Sequence, residues 1–191
     1  ITARLPTIPK KKNGKRIALI GAGPASLTVA RGLAPLGYSI DIYDNQFAGG
    51  GMMRSQIPSF RLPIEVLDEE VNYILDMGVS ATFDIEVDSL KEILNKDYDA
   101  VFVGTGAPRG KGLNLPGLED AMANVYLGID WLSSGAFEHT VAIGKRVRVL
   151  GGGNTALDCC RTSKRLGGED VRVVVRSPFE DMKASPWEKE D

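Results

Sequence analysis

Gly21, Gly23 and Ser26 stand in a Gly-x-Gly-x-x-small spacing, and Gly151, Gly153 and Ala156 repeat it 130 residues later. The repeat is wider than the glycines. Gly14, Lys15 and Arg16 return as Gly144, Lys145 and Arg146, Leu27 returns as Leu157, and Arg31 as Arg161. Each set follows a predicted strand, the apolar run 17–20 for the first and "RVRVL" (146–150) for the second, and opens a helical pattern, the setting in which such glycines receive a dinucleotide pyrophosphate. The first glycine permits a tight turn. The second lets the backbone approach the phosphates, and the small third position brings helix and strand together. The helix N-terminus adds free N–H groups and partial positive charge. A purely structural glycine turn explains one such set equally well; two sets, each between strand and helix, favour two dinucleotides.

The residue at the end of the next strand separates the two sets. After the first set that strand ends at Asp44, 23 residues beyond Gly21. A carboxylate there accepts hydrogen bonds from ribose hydroxyls and repels a 2′-phosphate, which suits FAD or NAD. The competing reading of Asp44 is a turn residue closing a strand. The strand after the second set is read as ending at Arg176. A guanidinium suits the 2′-phosphate of NADP(H), although Glu180 and Asp181 come soon after and oppose it. One turn for a flavin dinucleotide and one for a nicotinamide dinucleotide make a hydride relay. In such a relay the cofactors carry the chemistry and the protein aligns them. No catalytic acid–base pair and no metal ligand set emerges, and neither is assigned.

The other reactive residue types have plain explanations. His139, the single histidine, stands in a polar stretch and reads as a surface residue. Cys159 and Cys160, the only two cysteines, are adjacent within the helix after the second turn and read as packing residues. They cannot form a disulfide framework or a Cys-x-x-Cys pair. Met52 and Met53 fill core gaps on the plain reading, and Arg54 and Arg61 each have a surface salt-bridge reading beside a functional one. Asn154 orients a dinucleotide or caps its helix.

Apolar residues make up 43% of the 191 and charged residues 25%, with a net charge of −2. That balance carries no footprint for nucleic acid or an anionic membrane. No apolar run reaches the roughly 20 residues of a membrane span. Neither a signal peptide nor a cysteine framework is evident, so the cytoplasm is the expected compartment.

The same patterning sets the strands and helices around the two turns. Residues 1–13 read as an extended arm, with prolines and the basic run Lys10–Lys12. Residues 17–20 form a buried strand, and residues 24–37 a helix with Leu27, Ala30, Leu33 and Ala34 on one face and Gly37 at its end. Residues 38–44 form the second strand. Residues 47–63 are too rich in glycine and proline for regular structure. Residues 64–79 read as a helix with Val66, Val71, Ile74 and Leu75 as its apolar stripe. A strand over 80–87, a helix capped by Ser89, a strand over 100–107 and a helix near 126–135 precede the second turn. After it come a helix and a strand over 171–176. Alternation of this kind predicts an α/β fold with parallel sheets. Neither half has enough strands to close a doubly wound sheet, so the chain reads as a fragment or finds partner elements elsewhere.

The segments "GAGPAS" (21–26), "YD" (43–44) and "GGGMMRSQIPSFRLP" (49–63) resemble the FAD-binding half of the glutamate synthase small (beta) subunit family. These are FAD-dependent NAD(P)H oxidoreductases, and they include the related flavin region of dihydropyrimidine dehydrogenase. The run "IPSFRLP" is the most specific part. "YDAVFVGTGAPRG" (98–110) is similar to the family's strand-and-glycine segment, and residues 151–176 to its NADPH-binding segment. The similarity covers roughly residues 14–187.

The resemblance implies two Rossmann-like domains, the NADPH domain inserted into the FAD domain. The first would span 14–125 and the second 126–191, both partial, with the chain incomplete at its C-terminus. It places Gly21, Gly23, Pro24, Ala25 and Ser26 along the FAD pyrophosphate and Asp44 on the adenosine ribose. Gly50, Gly51 and Met52 would pass close to the flavin dinucleotide, Arg61 would reach FAD, and the Val87 backbone would meet the adenine. Gly106 falls in the strand-and-glycine segment. Gly152, Gly153, Asn154, Thr155 and Ala156 would take the NADPH pyrophosphate, and Arg176 and Lys183 its 2′-phosphate. Two residues depart from the family pattern: Ser177 stands where a second arginine is common, and Ser26 where glycine is.

The implied activity moves a hydride from NADPH to FAD and passes electrons to an iron–sulfur segment or a large partner subunit, with no nucleic-acid or membrane partner. The alternatives are a pyrimidine-reducing or ferredoxin-linked relative, a non-catalytic nucleotide-binding scaffold, and a fragment unable to retain FAD.

Overall fold

The computed structural model describes residues 6–136, 139 and 143–190. The chain divides into two compact units. One comprises Ile1–Arg54 with Leu62–Ala107, the other Ser55–Arg61 with Pro108–Asp191. The units thus part between Ala107 and Pro108, whereas the sequence expectation draws the line at 125/126. The seven residues 55–61 belong to the second unit although first-unit residues flank them.

In the first unit, β1 (Arg16–Ile20) leads into α1 (Pro24–Leu33), a 3-10 turn (Ala34–Leu36) and β2 (Ser39–Tyr43). Then come α2 (Met52–Ser55), α3 (Ile64–Leu75), β3 (Ser80–Thr82), α4 (Leu90–Leu94) and β4 (Ala100–Val103). Among the described residues these strands make one sheet of order β3-β2-β1-β4, every pair parallel. β1 is central and buried on both faces, which explains its unbroken apolar run. Ile17 and Leu19 join Leu27 and Ala30 of α1 and Leu67, Val71 and Ile74 of α3 in one cluster. Ala18 and Ile20 face the other way, onto Ile93 of α4, with half-buried Val87 and Tyr98 beside them.

Local chemistry sets the element ends. Pro24 occupies the first turn of α1, where its missing N–H costs nothing. Gly37 ends the helical run at φ +87°, and a side chain there would meet the Asn13 backbone at 3.1 Å. The arm is fixed at that point: the Asn13 amide donates to Gly37 O (2.9 Å) and its side chain to Leu36 O (3.1 Å). Residues 1–5 of the expected arm lie outside the described residues. Ser89 caps α4, its Oγ accepting from the Glu92 amide at 3.4 Å.

Four expectations change in detail. The glycine-rich stretch 47–63 contains a helical turn, α2. The buried stripe of α3 is Leu67, Val71 and Ile74, while Val66 is 48% exposed. Positions 67, 71 and 74 share a face at 100° per residue, and 66 lies a full step off it. β3 has three residues because the chain turns away at Asp84, whose φ is +55°. The strand expected to end at Arg176 ends at Val174, two residues earlier.

The second unit contains α5 (Leu118–Ala121), a 3-10 turn (Met122–Asn124), α6 (Gly128–Ala136), β5 (Arg146–Leu150), α7 (Asn154–Arg165), β6 (Asp170–Val174) and α8 (Pro186–Glu190). β5 and β6 pair in parallel, Arg146 opposite Asp170 and Leu150 opposite Val174. α7 packs on both strands and on α6. β5 alternates exposed Arg146 and Arg148 with half-buried Val147 and Val149, so its apolar face is one-sided. The α/β class with parallel sheets is the one expected.

Candidate functional site

At the first turn, the Gly21 amide donates to Tyr43 O across the strands (2.7 Å) with φ at +94°. A Cβ there would lie 2.6 Å from Gly104 O, so the position admits only glycine. Gly23 is the N-cap of α1 in extended backbone, and no side chain caps the helix. Among the described residues no side chain caps the first-turn amides of Ala25 and Ser26. Ser26 is fully buried, its Oγ without a hydrogen-bond partner among the described residues, and a Cβ on Gly104 would collide with it. The small third position is a packing requirement here.

Asp44 comes directly after β2, and backbone fixes both its carboxylate oxygens. Oδ2 accepts from the Ala22 amide at 2.5 Å and Oδ1 from the Gln46 amide at 2.8 Å. A second glycine loop meets the turn. The Gly50 amide donates to Ala22 O (2.9 Å), and a Cβ on Gly51 (φ +54°) would lie 2.9 Å from the Gly23 Cα. The expected surface role of Arg54 is corrected. Its side chain is 8% exposed, donates Nε–H to Gly49 O at 2.7 Å and pairs with Asp68, pinning this loop. Met52 opens α2 beside the loop and is exposed. Val87 lines a hollow of about 130 Å³ with Tyr43, Ile93 and Lys96. Gly106 lies in the loop after β4 at φ +72°, open to space.

The second turn reproduces the first. The Gly151 amide donates to Val174 O (3.0 Å), Gly153 is the extended N-cap of α7, and the Leu157 amide donates to Gly153 O (3.3 Å), as Leu27 does to Gly23 O (3.0 Å). Thr155 and Ala156 occupy the uncapped first turn of α7. The residue after the strand is now Val175, and a Cβ on Gly152 would meet its Cγ1 at 2.8 Å. Where the first turn offers a carboxylate, the second offers a methyl. Asn154 does not cap its helix; it is the first helical residue. Its Oδ1 accepts from the Ser185 amide (2.8 Å), its Nδ2 donates to Ser185 Oγ (3.1 Å), and the Ala184 amide donates to Gly152 O (2.9 Å). The loop carrying Lys183 is thereby clasped to the glycine turn. Arg176 and Lys183 are exposed, with no ion-pair partner among the described residues.

Arg61 belongs to the second unit. Its guanidinium pairs with Asp158 Oδ2 at 2.6 Å and with Glu188. Both carboxylate side chains are 6% exposed. Arg161 completes the cluster through Glu188 Oε2 (2.5 Å) and Glu188 O (2.7 Å). Burial pushes the Asp158 carboxyl up from its ordinary range, while Arg61 pulls it back. Arg165 lies over the Phe60 ring at 3.7 Å. Asp158, Arg161 and Glu188 escaped the sequence expectation; the one available signal was the i,i+3 spacing of Asp158 and Arg161 on a helix. Cys159 is buried against α6, its Sγ 3.7 Å from Gly128 O, and burial pushes its thiol up to about 12. His139 is exposed. Among the described residues no acidic, histidine and cysteine cluster suits a metal, and no helix is long and apolar enough to cross a membrane.

The family model described as pyridine nucleotide-disulphide oxidoreductase matches residues 15–186. The chain is 38% identical over 189 residues to the NADPH-Fe(3+) oxidoreductase subunit beta of Geobacter sulfurreducens, covering 96% of this chain and 28% of that protein. It is 32% identical to the glutamate synthase [NADPH] small chain of Azospirillum brasilense, covering 96% of this chain and 40% of the relative. The chain therefore spans less than half the length of these relatives. A mutant of FprA from Mycobacterium tuberculosis shares the fold, with a TM-score of 0.78 at 19% identity over 91% of this chain and 46% of that one. The resemblance seen in the sequence stands.

Proposed function

The chain belongs to the pyridine nucleotide-disulphide oxidoreductase family, and on that basis we propose that its two glycine turns hold FAD and NADPH, the first unit taking the flavin. In this reading the second unit is an insertion in the FAD domain. The observation that carries it is the repeated device with opposite endings. Asp44 is oriented by the Ala22 and Gln46 amides, and Val175 with exposed Arg176 stands at the matching place.

Bound there, the cofactors supply hydride and electron transfer. The protein's own work is to hold and to exclude. Gly21, Gly23 and the first-turn amides of Ala25 and Ser26 receive the flavin pyrophosphate. Asp44 accepts from the adenosine ribose and rejects a 2′-phosphate by charge. Gly50 and Gly51 let backbone approach where a side chain would collide. In the second unit Gly152, Gly153 and Thr155 receive the other pyrophosphate. Arg176 and Lys183 favour the 2′-phosphate. The electron acceptor is an iron–sulfur centre or a large subunit; relatives named as a beta subunit and a small chain support a partner subunit.

Replacing Gly23 by Leu tests the first assignment. Gly23 faces Gly51, whose Cα lies 4.0 Å from the position of an added Cβ. The variant is expected to purify without flavin while NADP+ binding persists. Unchanged flavin content would remove FAD from this turn.

A further inference from the structure

The resemblance assigns Arg61 to the flavin, yet its guanidinium is bound by two buried carboxylates of the second unit, on α7 and α8. Those carboxylates belong to the framework of the second turn. Asp158 stands on the helix that the turn opens. Glu188 lies just beyond the loop that carries Lys183, and that loop is fixed at three places. The Ala184 amide bonds Gly152 O at 2.9 Å, Ser185 is clasped by Asn154, and Glu188 is held by Arg61 and Arg161. The Glu188 amide in turn donates to Ser185 O at 2.9 Å. An unbroken line of short bonds thus runs from Arg61 through Glu188 and Ser185 to the segment that places Lys183.

We infer that Arg61 is a positioning residue for the second nucleotide site: through Glu188 it sets where Lys183 stands, and so tunes preference for a 2′-phosphorylated adenosine. This rests on the assignment of Arg176 and Lys183 to that phosphate. Arg161 alone cannot replace Arg61, because it approaches Asp158 only at 3.9 Å and already serves both Glu188 oxygen types. A planar fork that bridges two carboxylates fixes geometry in a way a single ammonium does not.

The test is calorimetric titration of the purified chain with NADP+ and NAD+, read as the ratio of their dissociation constants, with flavin content measured on the same samples. Glu188→Gln and Arg61→Gln are each expected to lower the NADP+ preference by about tenfold, the size of one lost charge-assisted contact. In a Lys183→Ala background the same changes should lower it by less than about twofold, since coupled residues are non-additive. An unchanged ratio in both single variants overturns the inference, whatever happens to flavin or stability. Full additivity with Lys183→Ala also overturns it. The underlying assignment fails separately: Lys183→Ala and Arg176→Ala would then leave the wild-type ratio unmoved, and this inference falls with it.

Discussion

The two glycine turns are built alike and end differently. In both, the first glycine takes a positive φ and donates to the last carbonyl of the neighbouring strand, and the second glycine caps a helix without side-chain help. Apart from one extra bond in the second, from the Ala156 amide to Gly153 O (3.0 Å), the difference lies in what surrounds them. Gly21 is wedged against Gly104 and a second glycine loop closes on Gly23, whereas nothing comes within 4 Å of an added Cβ on Gly153. Asp44 meets the Ala22 amide where Val175 meets Gly152. In the proposed function one backbone device serves two anions, and selectivity is left to the residue after the strand and to the loops laid against the turn.

The largest contrast is in stability. Gly21→Ala combines a positive φ with a 2.6 Å approach to Gly104 O and should cost about 3 kcal/mol in urea unfolding. Gly151→Ala meets nothing closer than 3.5 Å and should cost about 1–2 kcal/mol from its backbone conformation alone. Equal costs would mean that the two turns are equally crowded. Next is the strand-end pair. Asp44→Asn should weaken flavin retention by about 10–100-fold, the range for hydrogen bonds to a charged group. Val175→Asp should move the second site from NADP+ toward NAD+ in equilibrium titrations. A Val175→Asp variant that keeps its NADP+ preference would show that this position does not discriminate. Arg176→Ala should raise the dissociation constant for NADPH by about tenfold and that for NADH by less than about twofold.

The smallest effect lies on α7, which carries Cys159 and Cys160 where α1 carries Val29 and Ala30. Burial holds the Cys159 thiol protonated up to about 12, above its ordinary 9.0. Its stabilising contribution is therefore full below pH 9.0 and is lost as pH rises through about 12. Iodoacetamide at about pH 8, then peptide mass analysis, should label Cys160 and spare Cys159.

Much of this was legible in the sequence because it is local. Glycine spacing, apolar runs and the Ser89 cap each act within a few residues, and β1, α1, β2, α3, β4 and α7 formed where they predict, though β3 and β6 stop short and α2 was missed. The failures are non-local. Arg54 reads as a surface cation until Gly49 and Asp68 close around it. Val66 reads as core until α3 turns Leu67, Val71 and Ile74 onto the cluster with Ile17, Leu19 and Leu27, which leaves position 66 a step off that face. Arg61 finds its partners in Asp158 and Glu188, far along the chain, in a unit to which the intervening residues Leu62–Ala107 do not belong. Asn154 looks like a cap because its type favours that position, and Ser185, 31 residues on, claims it instead.

The central proposal is one relay: a flavin and a 2′-phosphorylated nicotinamide dinucleotide, each in its own glycine turn. It is decided by an anaerobic titration of the purified protein with NADPH and NADH, following the visible flavin bands. A yellow protein, bleached by NADPH at concentrations well below those NADH requires, is the expected result. A yellow protein bleached equally by both, or by neither, would refute the relay.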